Sequence, residues 1–153
     1  MRVLTDDGHS VASFVDVLRM QGVEVAEAER ALAEDSLLKS IPVLWDDWLP
    51  ADRTRTVCGA YHFRRGCGFV VHDRIALRPD LEVVLPAAPL LLAVREVFLH
   101  ELAHALAPYD KHGEQWAEAT ERLGLVCPGE QWIPWERIIE TAKKEPKRWK
   151  RND

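Results

Sequence analysis

The chain has 153 residues, 47% of them hydrophobic and 29% charged, with a net charge of −5, which suits one globular domain able to bury a core without staples. The charge argues against a dedicated nucleic-acid binder, and no run approaches the ~18 uninterrupted apolar residues of a membrane span. The opening stretch, Met1-Arg2-Val3-Leu4-Thr5-Asp6-Asp7, lacks the apolar core of a signal peptide, so a cytoplasmic protein is expected.

The first predicted element is a helix from Ser10 to Met20, with Val11, Phe14, Val15 and Leu18 as its apolar stripe, Ser10 as cap and Gly22 as stop. A second helix is expected from about Glu24 to Lys39, ended by Pro42. The pattern then changes to strand formers. Thr56 to Phe63, Gly68 to Val71 and Arg74 to Leu77 read as strands of a small antiparallel sheet, with a turn at Arg64-Arg65-Gly66. Pro79, Pro86 and Pro89 mark a loop. Leu90 to Ala107 is helical and apolar nearly all round, the signature of a helix buried in the middle of a domain. A further helix runs from about Gly113 to Leu123 and a last one from Pro134 to about Lys144. The expected class is α+β, organised as an N-terminal helical part (1–44) of the same domain, a core (45–140) and a basic, disordered tail (141–153).

Charge is unevenly spread. Residues 1–47 hold ten acids against four bases, whereas 141–153 hold six bases (Lys143, Lys144, Lys147, Arg148, Lys150, Arg151) against two acids. Such a tail, with Trp149, is a candidate DNA contact, set against a plain solvated helix end. Cys58, Cys67 and Cys127 form no C-x-x-C pair and read as reduced, partly buried small hydrophobes, although Cys58 and Cys67 can face each other across a hairpin.

The central helix contains His100-Glu101-Leu102-Ala103-His104. Residues four apart share a helix face, so both imidazoles can reach one metal ion, with Glu101 beside it as a base for an attacking water. Zinc suits this arrangement because it accepts imidazole nitrogen and leaves a position open. A buried pair of rings and a carboxylate without such a purpose would be costly. Catalytic zinc needs a third protein ligand. His112, before the following helix and next to Gly113, is the leading candidate, with Asp110, Glu114 and Glu118 as competitors. Tyr109, between the ligands, is a candidate oxyanion donor or substrate contact. Trp116 is expected to pack the second helix against the first. His9, His62 and His72 are expected to be non-ligands, and Trp132 and Trp135 to cover the core.

His-Glu-Leu-Ala-His-Ala-Leu, a short connector and then His-Gly-x-x-Trp resemble the SprT-like (Spartan-type) zinc metalloproteases, over roughly Trp45 to Gly124. The resemblance implies a zincin-like fold in which the buried active-site helix is followed by a ligand-bearing helix. It implies zinc held by His100, His104 and His112, with Glu101 as the catalytic base. Gly59-Ala60-Tyr61 and Ile75-Ala76-Leu77 are similar to the family's sheet before that helix. Cys127 alone stands where many members carry a four-cysteine zinc ribbon, so the resemblance is to a minimal bacterial or phage member. The expected function is peptide-bond hydrolysis on a protein or peptide laid along an outer strand near Ile75 to Leu77. The alternative is a DNA- or protein-binding accessory module with a mainly structural metal site.

Overall fold

The computed structural model describes residues 8–50, 56–85 and 89–145. The N-terminal heptapeptide, Pro86 and the basic residues from Lys147 onward therefore lie outside the described residues, as do the readings that rest on them. Strand β1 (His9–Ser10) runs directly into helix α1 (Val11–Met20), whose first turn is capped by the Ser10 hydroxyl accepting from the Ser13 amide at 3.1 Å. Val11, Phe14, Val15 and Leu18 are buried, as their spacing predicts.

Helix α2 (Ala26–Glu34) is shorter than the expected span to Lys39. The chain leaves the helix at Asp35 and continues as a 3-10 segment, Ser36–Ser40. Aspartate and serine side chains compete for backbone groups in non-helical conformations, which weakens a helix at Asp35-Ser36. The apolar Leu38 still reaches the core.

The sheet is mixed, which corrects the antiparallel expectation. Strand β2 (Pro42–Trp45) pairs in parallel with β4 (Val70–Leu77), while β3 (Gly59–Arg65) pairs with β4 antiparallel, in the order β1-β2-β4-β3. The sequence hides β2 because it has only four residues and begins at a proline that reads as a helix stop. It straddles the 44/45 boundary, so the N-terminal part contributes strands as well as helices. The two short runs after the turn form one strand, β4. The hairpin closes later than expected, through the Gly66 amide donating to the Phe69 carbonyl at 2.9 Å, with Gly68 at φ 80°.

Strand β4 lies inside the sheet, between β2 and β3, with Ile75, Ala76 and Leu77 fully buried. The outer strands are therefore β1 and β3, and the Ile75–Leu77 segment is not one of them. A short helix, α3 (Leu81–Val84), occupies part of the expected proline loop and buries Leu81. Cys58 precedes β3 and Cys67 follows it, so a seven-residue strand separates them by on the order of 20 Å; both thiols are free.

Helix α4 (Leu90–Leu106) is buried on nearly every face. It packs on β3, β4 and α5 (Glu114–Arg122). Arg95 and Glu96 within it are also buried. Arg95 donates to Glu96 and to the carbonyls of Glu24 and Gly124, each at 2.6 Å, and Glu96 accepts from the Val126 amide at 2.7 Å. The last helix, α6 (Trp135–Lys144), packs Ile138 and Ala142 against Leu92. It thus carries packed structure past the expected boundary at 140. Among the described residues, no helix is long and apolar enough to cross a membrane.

Candidate metal centre

The metal candidates come from one helix and one turn. Helix α4 sets His100, Glu101 and His104 on its face toward the cleft, because positions three and four apart stack along a helix. After α4 the chain reverses at Lys111, a non-glycine residue with φ 56°, and returns His112 to the other two. The ring centroids lie 5.3 Å apart for His100 and His104, 5.5 Å for His100 and His112, and 4.7 Å for His104 and His112. One ligand nitrogen from each lies within 4.8 Å of the others, close enough for one metal ion.

The turn is held by its neighbours. The Asp110 carboxylate accepts from the Trp116 amide at 2.9 Å, anchoring the start of α5. A Cβ at Gly113 would stand 2.6 Å from an Asp110 carboxylate oxygen, so a side chain there would disturb this anchor. Trp116 is fully buried and its ring lies 4.9, 5.4 and 4.6 Å from those of His100, His104 and His112. It acts as a plate behind all three imidazoles, in line with the packing role read from its position. Asp110 is engaged in the turn, and Glu114 and Glu118 are exposed. None of these three carboxylates joins the cluster among the described residues.

The electrostatics favour ligands rather than cations. Burial, together with the neighbouring imidazoles, lowers His100 to about 3. Burial and His112 bring His104 down to about 4, against a small opposing pull from the Lys111 backbone. His112, at the rim, is lowered by burial too. All three are neutral at pH 7 and offer lone pairs. His100 Nδ1 is buried without a hydrogen-bond partner, as expected of a ring short of one of its normal contacts. Three clustered neutral imidazoles are a donor set for a transition metal, and the residues fit such an ion.

Glu101 is the buried carboxyl of the site. Burial raises it to about 8, with no other cause. Strand β3 begins against it: a Cβ on Gly59 would lie 2.8 Å from Val97 Cγ1 and 3.0 Å from Glu101 Cγ. Close approach of strand to helix is what requires glycine here. This contact joins segments 38 or more residues apart along the chain, and the sequence gives no sign of it.

These groups open on a cleft of about 480 Å³. Thr56 to Gly59 form one margin. Ile133 and Trp135, partly packed on the core, and Trp132, 62% exposed, form another. Trp132 therefore lines the cleft and does not cover the core. The run Gln131-Trp132-Ile133-Pro134-Trp135, aromatic but without helical or strand period, was the available signal. Tyr109 stands apart from the cleft lining. Its exposed ring packs edge-on against Phe63 at 5.8 Å, with the Arg65 guanidinium 4.4 Å from its centre. The remaining histidines are elsewhere: His72 Nδ1 shares a 2.6 Å hydrogen bond with the Tyr61 hydroxyl, His9 Nδ1 one of 2.9 Å with Ser13, and His62 lies in β3 outside the cluster. Comparison with protein-family profiles, characterised proteins and solved structures finds no match for this chain.

Proposed function

We propose that this chain is a zinc-dependent peptidase with a zincin-like fold, of the SprT-like type that its His-Glu-x-x-His and His-Gly-x-x-Trp motifs resemble. One observation carries the reading: a cluster of three neutral imidazoles shares an open cleft with a single buried carboxyl of raised basicity. A purely structural metal site has no use for such a carboxyl beside an open cleft.

His100, His104 and His112 hold the zinc, which when bound polarises the scissile carbonyl and acidifies a water. Glu101 takes the proton of the attacking water and delivers it to the leaving amine nitrogen. A zinc ion beside it would favour the ionised carboxylate that this step needs, and its seat against Gly59 and Val97 keeps it from swinging away. Among the described residues, strand β3 has no second partner in the sheet order, so an extended peptide can add there through backbone hydrogen bonds. Recognition by backbone makes little demand on most substrate side chains.

The test compares zinc content and peptide hydrolysis of the native chain with Glu101→Gln. The variant is expected to keep zinc and to lose hydrolysis by two to four orders of magnitude, the usual size of a general-base contribution, ~10²–10⁴. Equal rates would remove Glu101 from the mechanism. Zinc binding without hydrolysis by the native chain would favour the accessory-module reading.

A further inference from the structure

We infer, on the peptidase reading, that the far end of strand β3 is a charge-reading subsite, in which Arg64 and Arg65 take two adjacent acidic residues of an extended substrate, about six positions from its scissile bond. The substrate class so named is a chain with an acidic pair remote from the bond that is cut.

Nine arginines lie among the described residues, and seven of them stand within ion-pair distance of a carboxylate. The two that do not, among the described residues, are Arg64 and Arg65, adjacent on β3 and both exposed. Arg65 is also held in place. Its guanidinium lies 4.4 Å from the centre of the Tyr109 ring, Tyr109 meets Phe63 edge-on at 5.8 Å, and Phe63 stacks on Tyr61 at 5.4 Å. The Tyr61 hydroxyl in turn shares its 2.6 Å hydrogen bond with His72 on β4. A guanidinium lying over an aromatic face keeps its N–H edge open to a carboxylate, and it loses less freedom when one binds.

The place of the pair on the strand sets the distance. Strand β3 starts at Gly59, against Glu101, and Arg65 stands six residues further on, ~20 Å at ~3.3 Å per residue. The irregularity beside His62 and Phe63 inserts Asp73 in β4, so β3 itself stays regular. A peptide added to the open edge keeps the same rise, and the residues that meet Arg64 and Arg65 lie about five to six positions from the bond held at Glu101. Successive side chains on a strand point to opposite faces, so Tyr61, Phe63 and Arg65 share one face and Arg64 takes the other. A partner strand alternates in step, and two neighbouring acids rather than one match both arginines. Single-stranded nucleic acid also offers negative charge and flat rings. Its backbone lacks the alternating amide donors and carbonyl acceptors that pair with a strand edge, so a peptide uses more of what this edge presents.

The experiment uses the full chain loaded with zinc. Peptides of one neutral sequence carry Asp-Glu, Asn-Gln or Lys-Lys at a position moved stepwise along it. Cut sites are read by mass spectrometry, and binding is read by fluorescence anisotropy on Glu101→Gln, so that the peptide persists. With the pair about five to six residues from the cut, Asp-Glu peptides are expected to bind and be cut ~3- to 20-fold better than Asn-Gln ones, the scale of two cross-strand charge pairs. The gain should shrink toward unity near ~1 M salt, where screening acts within ~3 Å. Arg64→Gln combined with Arg65→Gln should remove the gain and leave zinc content and the cutting of Asn-Gln peptides unchanged, both positions being exposed. Equal or reversed preference at every spacing, or a gain that survives the double variant, overturns the subsite. So does a single-stranded oligonucleotide whose binding the double variant abolishes while acidic peptides show no preference. Acid-selective binding without cleavage by the native chain supports the subsite and removes the peptidase reading instead. Cleavage without acidic preference does the reverse.

Discussion

Glu101 and the histidines it adjoins titrate in opposite directions, and the metal-free protein should carry both signatures in its stability. His100 at about 3 and His104 at about 4 lie below the ordinary 6.5, so the unfolded chain binds protons first. Their neutral burial therefore costs stability progressively as pH falls from 6.5 toward 3. Glu101, raised from 4.5 to about 8, holds its proton longer in the folded state, so its contribution is complete below 4.5 and is lost as pH rises to 8. Two histidines outweigh one carboxyl below 6.5, and above it only the carboxyl acts. Stability of the metal-free chain should thus peak near pH 6.5, and Glu101→Gln should flatten the alkaline side and steepen the fall between 6.5 and 4.5, where the carboxyl otherwise offsets part of the histidines' effect. Urea denaturation from pH 4 to 9 reads this directly, and a native chain with no slope between 6.5 and 8 would contradict the burial of Glu101. Gly59 makes a second residue-level prediction. In Gly59→Ala the new methyl would press on Glu101 and Val97, at an overpacking cost of about 1–3 kcal/mol. Zinc content should stay near native while hydrolysis falls by up to ~100-fold, because a small misplacement of a reacting group is enough.

At the scale of elements, the turn from α4 to α5 decides the third ligand. His112→Ala removes a nitrogen from the cluster and should weaken zinc binding by more than the ~10–100-fold typical of losing an outer partner. Asp110→Ala should fall within that smaller range, since Asp110 only anchors the turn through the Trp116 amide. Glu118→Ala, at an exposed position, should change nothing. Metal titration of the three variants against a competing chelator separates them, and loss of zinc in Glu118→Ala with retention in His112→Ala would reverse the assignment. The helices themselves were largely legible. The stripe of Val11, Phe14, Val15 and Leu18 in α1 and the mainly apolar run of α4 are local patterns that the helix period makes readable. Asp35 shows the limit of that reasoning, because the apolar period continues to Leu38 while the local chemistry ends the helix. Strand β2 shows another, since four residues carry too little pattern to be told from a loop.

Over the whole molecule, the buried Arg95–Glu96 pair ties the helix that carries His100 and His104 to the segment before α2 and to the one after α5. Arg95→Ala would remove the guanidinium from the buried Glu96 carboxylate and one donor from each of two backbone carbonyls. The expected loss of stability is about 3–5 kcal/mol, measured by denaturant unfolding; a change below ~1 kcal/mol would mean that the pair is not closed from water. From the sequence these two residues read only as charges interrupting an apolar run, because nothing local announces partners 71 and 29 residues away. By itself the sequence determined what lies within a few residues along a helix: the shared face of His100, Glu101 and His104. That follows from the fixed rise and rotation of the helix, whereas the choice of His112 over Asp110, Glu114 and Glu118 was left to the turn. Tertiary structure alone decided that β3 rather than β4 is an outer strand, that Gly59 presses on Glu101, and that Trp132 faces the cleft. Such contacts join distant segments chosen by which surfaces bury together, and a strand carries no mark of the partner it will find.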